Sequence, residues 1–280
     1  MMTVIAVIFW IWLALTVMYM LAIMPRMLGR ADRRPFMDVL YAHRGLHDNE
    51  TDAPENSMKA FAKAVEAGYG IEMDIQLSKD GIPVVFHDFT LDRICGVEGK
   101  VCDFTYEELQ EYTLCKSEER IPRFEDVLKQ VGGRVPLIVE YKLVGNDTSV
   151  CVAGDKLLKE YDGIYCIESF HPFALRWYRK NNKKVMRGQL SYSFKKEDGN
   201  RRSLLDIALA NLLFNFITKP DFVAYDHKDY RNRARGICRY VYGGLAVAWT
   251  IKSQDELDER REDFDLFIFD SFIPDEMKVC

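Results

Sequence analysis

The chain has 280 residues, of which 48% are hydrophobic and 29% charged, a composition typical of folded proteins. Its net charge of −5, with no basic stripe among aromatic residues, argues against a nucleic-acid-binding protein. The seven cysteines form no CxxC pair and have no zinc-finger spacing. We therefore expect reduced thiols in a cytosolic compartment.

The first 25 residues contain no charged side chain. A helix of about 20 apolar residues crosses a bilayer, so residues 1–25 are predicted to be a transmembrane anchor that contacts membrane lipid. A cleaved signal peptide is the alternative, but its basic start and small-residue cleavage site are missing. Four arginines lie in the linker 26–37 that follows. The positive-inside rule therefore predicts a single-pass protein of the cell membrane whose domain 38–280 is cytoplasmic.

After the linker, strand-like and helix-like patterns alternate along the chain. Nine runs are predicted to be strands, at 39–43, 70–77, 82–87, 136–142, 164–169, 184–190, 221–226, 244–249 and 265–269. The turn between the second and third runs is too short for a parallel crossover, so these two are expected to form an antiparallel hairpin. The other eight strands, separated by helices, predict the α/β class and a (β/α)8 TIM barrel.

Two segments need a separate interpretation. Residues 89–120 interrupt the alternation and are predicted to form a small insertion beside the barrel mouth, since a loop this long is usually functional or partly structured. The run 204–217 is apolar on nearly all sides. We interpret it as a buried barrel helix, with contact to the membrane or to a second subunit as alternatives.

Charged residues are spaced two apart on two predicted strands. Glu72 and Asp74 share one face of their strand, as do Glu140 and Lys142. The intervening side chains suit the helix-facing side, so both pairs are expected to face the barrel axis near the strand ends, where barrel active sites lie. Three carboxylates that converge there would be costly without a cation. Oxygen ligands of this kind favour Mg²⁺ or Ca²⁺ over zinc.

Two histidines lie at the same strand ends. His43 and Arg44 follow the first strand, and His87 ends the hairpin arm. With three carboxylates, a divalent cation, Arg44 and Lys142, the site would carry a net charge of about +1, which suits a phosphodiester of charge about −1. Histidines, with an unperturbed pKa of about 6.5, could divide the roles of acid and base at neutral pH.

Seven short motifs carry a resemblance to a known family. They are HRG at 43–45, PENS at 54–57, EMDIQLSKDGIPVVFHD at 72–88, IPRFEDVL at 121–128, VEYK at 139–142, ESF at 168–170 and VAWT at 247–250. In this order and spacing they closely resemble the glycerophosphodiester phosphodiesterases. The resemblance runs from residue 39 to residue 270, nearly the whole chain after the anchor.

The resemblance implies a (β/α)8 fold and metal-dependent hydrolysis of glycerophosphodiesters to sn-glycerol 3-phosphate and an alcohol. In the mechanism proposed for the family, the metal polarises the phosphoryl oxygen and the glycerol 2-hydroxyl attacks first, giving a cyclic phosphate that water opens. The residues implied are an acid/base pair, three metal ligands and two phosphate contacts: His43 and His87; Glu72, Asp74 and Glu140; Arg44 and Lys142.

The remaining candidates are less defined. Trp249 either packs in the core or forms a wall against the glycerol or alcohol group, and we keep it as a candidate substrate-binding residue. His47, His171 and His227 are expected on exposed loops or at the mouth rim. The sequence FIFDSF, 267–272, replaces a Thr-Asp-Arg-Pro-like ending common in the family, and we do not expect this change to affect catalysis.

Three functions fit these observations. The first is a membrane-anchored phosphodiesterase on the cytoplasmic leaflet that hydrolyses small-molecule glycerophosphodiesters. The second is a lysophospholipase D, because an anchor and an apolar run would suit a substrate that stays in the membrane. The third is a catalytically silent barrel that binds phospholipid headgroups, against which the complete set of histidines and acids argues.

Overall fold

A computed structural model describes residues 2–194 and 203–275. Within them the strands are β1 (Leu40–His43), β2 (Gly70–Leu77), β3 (Pro83–Val85), β4 (Leu137–Tyr141), β5 (Tyr165–Ser169), β6 (Arg187–Ser191), β7 (Phe222–Asp226), β8 (Leu245–Ile251) and β9 (Leu266–Phe269). Eight of them are parallel and close into a barrel, because β1 pairs with both β2 and β9. β3 lies outside and pairs antiparallel with β2. The predicted TIM barrel and hairpin are both confirmed.

Helices surround the barrel, except the first, which contacts it only through its carboxyl end. They are α1 (Met2–Ile23), α2 (Met58–Glu66), α3 (Asp92–Cys95), α4 (Tyr106–Leu109), α5 (Phe124–Val131), α6 (Ser149–Leu158), α7 (Pro172–Asn181), α8 (Leu204–Ala210), α9 (Asn215–Thr218), α10 (Arg233–Gly236) and α11 (Gln254–Arg260). Helix α2 begins where the Ser57 hydroxyl accepts a hydrogen bond from the Ala60 amide. Its apolar face, including Phe61 and Ala64, is fully buried. This packing fixes the loop between β1 and α2 beside the site.

Alternating side chains build two apolar layers. Tyr41, Ile138 and Ala224, from β1, β4 and β7, belong to one cluster and fill the barrel interior. Their strand neighbours belong to the larger cluster between strands and helices. Gly188 leaves room in the interior, since a Cβ there would lie 1.9 Å from the Phe222 ring. The apolar interior therefore lies directly beneath the polar residues at the carboxyl ends of the strands.

Segment 89–120 has a small core of its own. Leu91, Ile94 and Leu109 pack with Val84 and Phe86 of the hairpin arm. Helix α4 begins with a capping box, in which the Thr105 side chain and the Glu108 carboxylate each accept the other residue's amide hydrogen. The segment thus supports the arm that carries His87.

The run 204–217 differs from its predicted form. It consists of α8 and α9 with a turn between them, not one buried helix. Leu204 is 86% exposed, Leu205 57% and Phe216 51%, whereas Ala210 and Leu212 are buried. The interpretation as a buried barrel helix is therefore wrong for the outer face, because only one side of the run packs on the barrel.

Helix α1 is long and apolar enough to cross a membrane, with a mean hydropathy of 2.4 over Thr3–Ile23. A secretory signal sequence would share this character. Its last turn packs on the barrel: Ile23 is fully buried, and its carbonyl accepts a hydrogen bond from Asn215 Nδ2 at 2.9 Å. Tyr242 Oη donates to the Met20 carbonyl at 3.0 Å. These bonds satisfy carbonyls that a helix end leaves without partners.

The six cysteines of the described residues are free thiols. Burial raises the pKa of Cys95 to about 12 and that of Cys151 to about 12, so both remain protonated at neutral pH. The seventh, Cys280, lies outside the described residues.

Candidate active site

Three carboxylates converge at the carboxyl end of the strands. Glu72 and Asp74 on β2 and Glu140 on β4 are buried, and each offers an oxygen within 4.8 Å of the others. The strand register pairs Asp74 directly with Glu140. Oxygens bound to Mg²⁺ or Ca²⁺ lie about 2.0–2.6 Å from the ion, so oxygens on its opposite sides are about 4–5 Å apart. The three side chains therefore fit a divalent cation.

The charges of these carboxyls are strongly coupled. Burial and the neighbouring carboxylates, Asp74 first, raise the pKa of Glu72 well above its usual value. Burial would also raise the pKa of Asp74, but Lys142, His87 and Arg44 hold it well below its usual value. Glu72 therefore binds a proton more readily than Asp74 does, and a cation bound at the cluster would compete with that proton.

Two cations and an amide line the same cluster. Lys142 Nζ lies 3.1 Å from Asp74 Oδ1 and 2.8 Å from Glu140 Oε1. The Arg44 amide donates to Glu72 Oε2 at 3.1 Å, and its Nε lies 3.6 Å from Asp74 Oδ2. Asn56, from the PENS motif, donates to Asp74 Oδ2 at 3.0 Å. Arg44 and Asn56 both have φ of 55°, and these left-handed residues turn their groups into the site.

A fourth buried carboxyl was not assigned from the sequence. Glu168 of the ESF motif pairs in register with Glu140 and is 1% exposed. Its Oε2 has no hydrogen-bond partner among the described residues. Burial, with Glu140 and Asp74 nearby, raises its pKa well above the usual value. The i, i+2 spacing of Cys166 and Glu168 could have indicated an axis-facing acid, since Cys166 lies in the barrel interior.

His43 has a carboxylate partner from the far end of the chain. Its Nδ1 lies 3.2 Å from Asp270 Oδ2, and its Nε2 lies 3.9 Å from Glu72 Oε2. Burial, opposed by the hydrogen bond to Asp270, lowers the pKa of His43 to about 4. Asp270 belongs to the FIFDSF sequence, whose departure from the family's ending was not expected to affect catalysis. The segment contributes a direct partner of His43.

His87 lies in a chain of ion pairs. Its Nδ1 is 2.5 Å from Asp88 Oδ1, while Arg93 Nε donates to Asp88 Oδ2 at 2.6 Å. Arg93 also forms two hydrogen bonds of 2.7 Å to Glu55, which in turn accepts from Arg44 at 2.7 Å. Burial raises the pKa of Glu55, but Arg93, Arg44 and Asn49 together lower it to about 2. The chain connects the hairpin arm to the loop after β1.

Gln76 holds the hairpin arm in place. It continues the axis-facing series of Glu72 and Asp74, and its Nε2 donates to the Phe86 and Asp88 carbonyls at 2.8 Å each. The Phe86 amide donates to the Asp74 carbonyl at 3.0 Å. The arm therefore returns over β2, and His87 interacts electrostatically with both Asp74 and Glu140.

A family model, the glycerophosphoryl diester phosphodiesterase family, matches residues 43–262. The chain belongs to this family. The match begins at His43 and includes the three converging carboxylates, Lys142 and His87.

Relatives and solved structures agree with this family. A mouse protein, glycerophosphodiester phosphodiesterase 1, is 27% identical over 274 residues, covering 84% of this chain and 77% of the relative. One from Caldanaerobacter subterraneus is 34% identical over 154 residues, 51% of this chain and 62% of the relative. A phosphodiesterase structure from Oleispira antarctica, in complex with the product sn-glycerol-3-phosphate, superposes with a TM-score of 0.68 at 22% identity, covering 84% and 93% of the two chains. At that identity it shows the common fold.

Three aromatic residues stand beside the acidic cluster of this phosphodiesterase-family barrel. The ring centroid of Trp249 on β8 lies 5.5 Å from that of Phe170 and 6.2 Å from that of Tyr192. Its buried Nε1 has no hydrogen-bond partner among the described residues. Trp249 therefore combines an apolar face with an unused donor at the barrel mouth.

Of the other three histidines, His47 and His227 are more buried than expected. His47 is only 11% exposed, and its Nε2 is 3.6 Å from Asp270 Oδ1, so its placement on an exposed loop is wrong. His227 is 3% exposed and packs near Glu256, so the expected surface position is wrong there too. His171 is half-buried at the start of α7, where its Nδ1 accepts from the Phe173 amide at 3.3 Å.

An apolar cavity of about 410 Å³ adjoins the carboxylate cluster. Its lining includes Glu140 and Lys142 of the site. Most of the remaining lining is apolar and comes from the strand ends, α7, α8 and α9, including Phe170, Phe173, Leu205, Leu209 and Phe214. The cavity has the size of a small-molecule site and joins polar and apolar surfaces.

Proposed function

We propose that the chain is a metal-dependent glycerophosphodiester phosphodiesterase that releases sn-glycerol 3-phosphate and an alcohol. The convergence of Glu72, Asp74 and Glu140 between His43 and Lys142, in a chain of this family, carries the proposal. When bound there, Mg²⁺ or Ca²⁺ would supply Lewis-acid polarisation of the phosphoryl oxygen.

His43 is the proposed base. Its low pKa keeps the ring neutral at pH 7, and the Asp270 carboxylate can only accept, so Nδ1 carries the hydrogen and Nε2 the lone pair. Nε2 is the ring nitrogen nearest Glu72. From there it can take a proton from the hydroxyl that attacks phosphorus.

His87 is the proposed acid. The Asp88 carboxylate accepts a hydrogen bond from Nδ1, so the opposite ring nitrogen, Nε2, is the one that would deliver a proton to the departing alcohol. Arg44 and Lys142 are the proposed phosphate contacts, because they are the cations inside the cluster. Trp249 is the proposed wall against the glycerol or alcohol group.

The test is a substrate panel with product identification. Purified full-length chain, supplied with Mg²⁺ or Ca²⁺, should release sn-glycerol 3-phosphate from glycerophosphocholine, glycerophosphoethanolamine or glycerophosphoglycerol. Absence of release from every member of the panel would refute the proposal and favour a barrel that only binds headgroups.

The apolar cavity favours a second candidate, a lysophospholipase D. When the phosphate of a lysophospholipid lies at Lys142, its acyl chain could lie in the cavity along Phe173 and Leu209. Leu209→Trp should fill the cavity and lower hydrolysis of lysophosphatidylcholine at least tenfold more than that of glycerophosphocholine. Leu204→Trp is the matched control, because Leu204 lies on the same helix but is 86% exposed. No turnover of lysophosphatidylcholine by the unmodified chain would exclude this candidate.

We further propose that residues 1–25 anchor the enzyme in the cell membrane, that 26–37 link the anchor to the domain 38–280 with its insertion 89–120, and that the domain is cytoplasmic. The buried Ile23 and its bond from Asn215 support retention of α1, since cleavage would leave a buried amide unpaired. Arg26, Arg30, Arg33 and Arg34 support the orientation. Recovery of the chain in the soluble fraction, without α1, would contradict the anchor.

A further inference from the structure

A strongly basic cavity lies at the amino end of the barrel strands, opposite the carboxylate cluster. Its volume is about 410 Å³, and it is lined by Arg26, Arg179, Lys183, Arg187 and Lys219 together with apolar residues of 24–28. The carboxylate that contacts this group is Asp221, which pairs with Arg26 at 3.4 Å. Among the described residues, five cations against one carboxylate leave an excess of four positive charges. The cavity is therefore suited to an anion.

Arg187 gives the cavity a buried donor. Its side chain is 3% exposed, and its Nε donates to the Thr218 carbonyl at 3.1 Å. Its Nη1 has no hydrogen-bond partner among the described residues, and Asp221 Oδ2 is 3.9 Å away. Burial, with Arg26 and Arg179 nearby, lowers the pKa of Arg187 to about 10. A buried donor without a hydrogen bond is costly, and an anionic oxygen would satisfy Nη1.

The neighbouring surface extends the same charge. A second cavity, of about 610 Å³, shares Arg179 and Lys183 and adds Arg176 and Lys180. Lys180 and Lys183 are exposed, at the end of α7. One guanidinium nitrogen of Arg179 already has partners, since Nη1 donates to the Phe216 and Ile217 carbonyls at 3.0 and 2.7 Å. Lys183 therefore remains available to both cavities, and Lys180 extends the positive charge along the adjoining one.

The position of the cavity points to the source of the anion. Its apolar lining begins at Met24, directly after α1 ends at Ile23. Met27 is 43% exposed and Leu28 89% exposed on the same rim. Lys219 Nζ donates to the Met24 carbonyl at 2.9 Å and so fixes this rim to the barrel. A phosphate ester with apolar chains fits this arrangement, because its phosphate can contact the arginines and lysines while its chains contact the apolar rim. Basic pockets next to membrane helices are suited to anionic headgroups.

We propose that this cavity binds the phosphate of an anionic phospholipid, with its apolar chains alongside α1. The phosphate group is shared with soluble phosphates, but the exposed apolar rim and the adjoining helix favour a lipid. The inference rests on the proposed membrane anchor and is independent of the hydrolytic reaction at the other end of the barrel.

The test measures lipid binding by the full chain in dodecyl maltoside micelles. Dioctanoyl phosphatidylglycerol should raise the melting temperature in a saturable manner, and dioctanoyl phosphatidylcholine should not. The double variant Lys180→Glu/Lys183→Glu should need at least tenfold more phosphatidylglycerol for the same shift, because each basic residue at a membrane surface contributes about a factor of five. Lys79→Glu/Lys100→Glu, with the same charge change on exposed lysines after β2, should titrate as the unmodified chain does.

Three results would overturn the proposal. One is an equal response to the two lipids. Another is an unchanged phosphatidylglycerol titration in the Lys180→Glu/Lys183→Glu variant, or in Lys183→Gln should the double variant fail to fold. The third is the full stabilisation by inorganic phosphate alone, which would assign the cavity to a soluble anion. Hydrolysis of glycerophosphocholine, measured in parallel, should stay within twofold in every variant, so a failure of this inference is distinguishable from a failure of the proposed reaction.

Discussion

The two histidines of the site occupy different surroundings although each has a carboxylate on Nδ1. His43 ends a barrel strand, its side chain is 18% exposed, and burial dominates its pKa. His87 lies on the hairpin arm, its side chain is 30% exposed, and its partner Asp88 also binds Arg93. Burial thus favours the neutral form of His43, whereas His87 lies beside an ionised carboxylate that it shares with Arg93. This difference supports the roles proposed for His43 as base and His87 as acid.

Removing His43, the proposed base, should have the largest effect. His43→Gln should lower kcat for glycerophosphocholine by about 10²–10⁴-fold, the usual contribution of a general base. His227→Gln is the matched control, since His227 is also buried but contacts Glu256 and not the carboxylate cluster, and it should retain activity within threefold. Equal losses in the two variants, with unchanged melting temperatures, would remove the distinction between His43 and the other histidines.

We propose Asp270 as a positioning residue for His43, and its loss should have an intermediate effect. Asp270→Asn should lower kcat by about 10–100-fold, because an amide permits the wrong His43 tautomer. The hydrogen bond and charge of Asp270 raise the pKa of His43, so the acid limb of the pH–rate profile should move to lower pH in the variant. A limb that stays in place would show that Asp270 does not act through His43.

Asp88→Asn should lower kcat by about tenfold or less. The His87 ring is more exposed than that of His43, so water can replace the lost hydrogen-bond partner. Burial would raise the pKa of Asp88, but hydrogen bonds from His87 and Arg93 hold it below the usual value, so at pH 7 the variant removes a charge. The measurement is kcat for a good and a poor leaving alcohol. An acid at His87 predicts the greater loss for the poor leaving group, and identical losses would contradict that role.

Acid should destabilise the fold partly through His43. Because its folded pKa is about 4 and its unfolded pKa about 6.5, the unfolded chain binds the extra proton between these values. The His43 contribution is therefore present above pH 6.5 and is lost as the pH falls toward 4. The free energy of unfolding should fall by roughly 3 kcal/mol more in the unmodified chain than in His43→Gln across this window. Parallel pH dependences would show that His43 is not held neutral.

Period-two alternation predicted most of the barrel, because strand side chains must alternate between two buried layers. The hairpin followed from the length of one turn, and Glu72, Asp74 and Glu140 followed from spacing on a strand. These features are local, and the structure keeps them almost to the residue.

Partners from distant parts of the chain could not be read in the same way. Asp270 reaches His43 only because β9 pairs with β1, and Glu55 meets Arg93 only because segment 89–120 folds back over the loop after β1. The exposed side of 204–217 also required the structure, since composition does not show which face of a short helix packs. Barrel closure, and not local pattern, brings these groups together.

The most direct test of the account is metal dependence of the unmodified chain. Glycerophosphocholine hydrolysis should fall at least about 10³-fold after chelation with EDTA and return when Mg²⁺ or Ca²⁺ is added back, since three buried carboxylates need a cation to act together. Glu72→Gln should resist this restoration at the same metal concentration. Release of sn-glycerol 3-phosphate that persists undiminished in EDTA would contradict the role assigned to Glu72, Asp74 and Glu140.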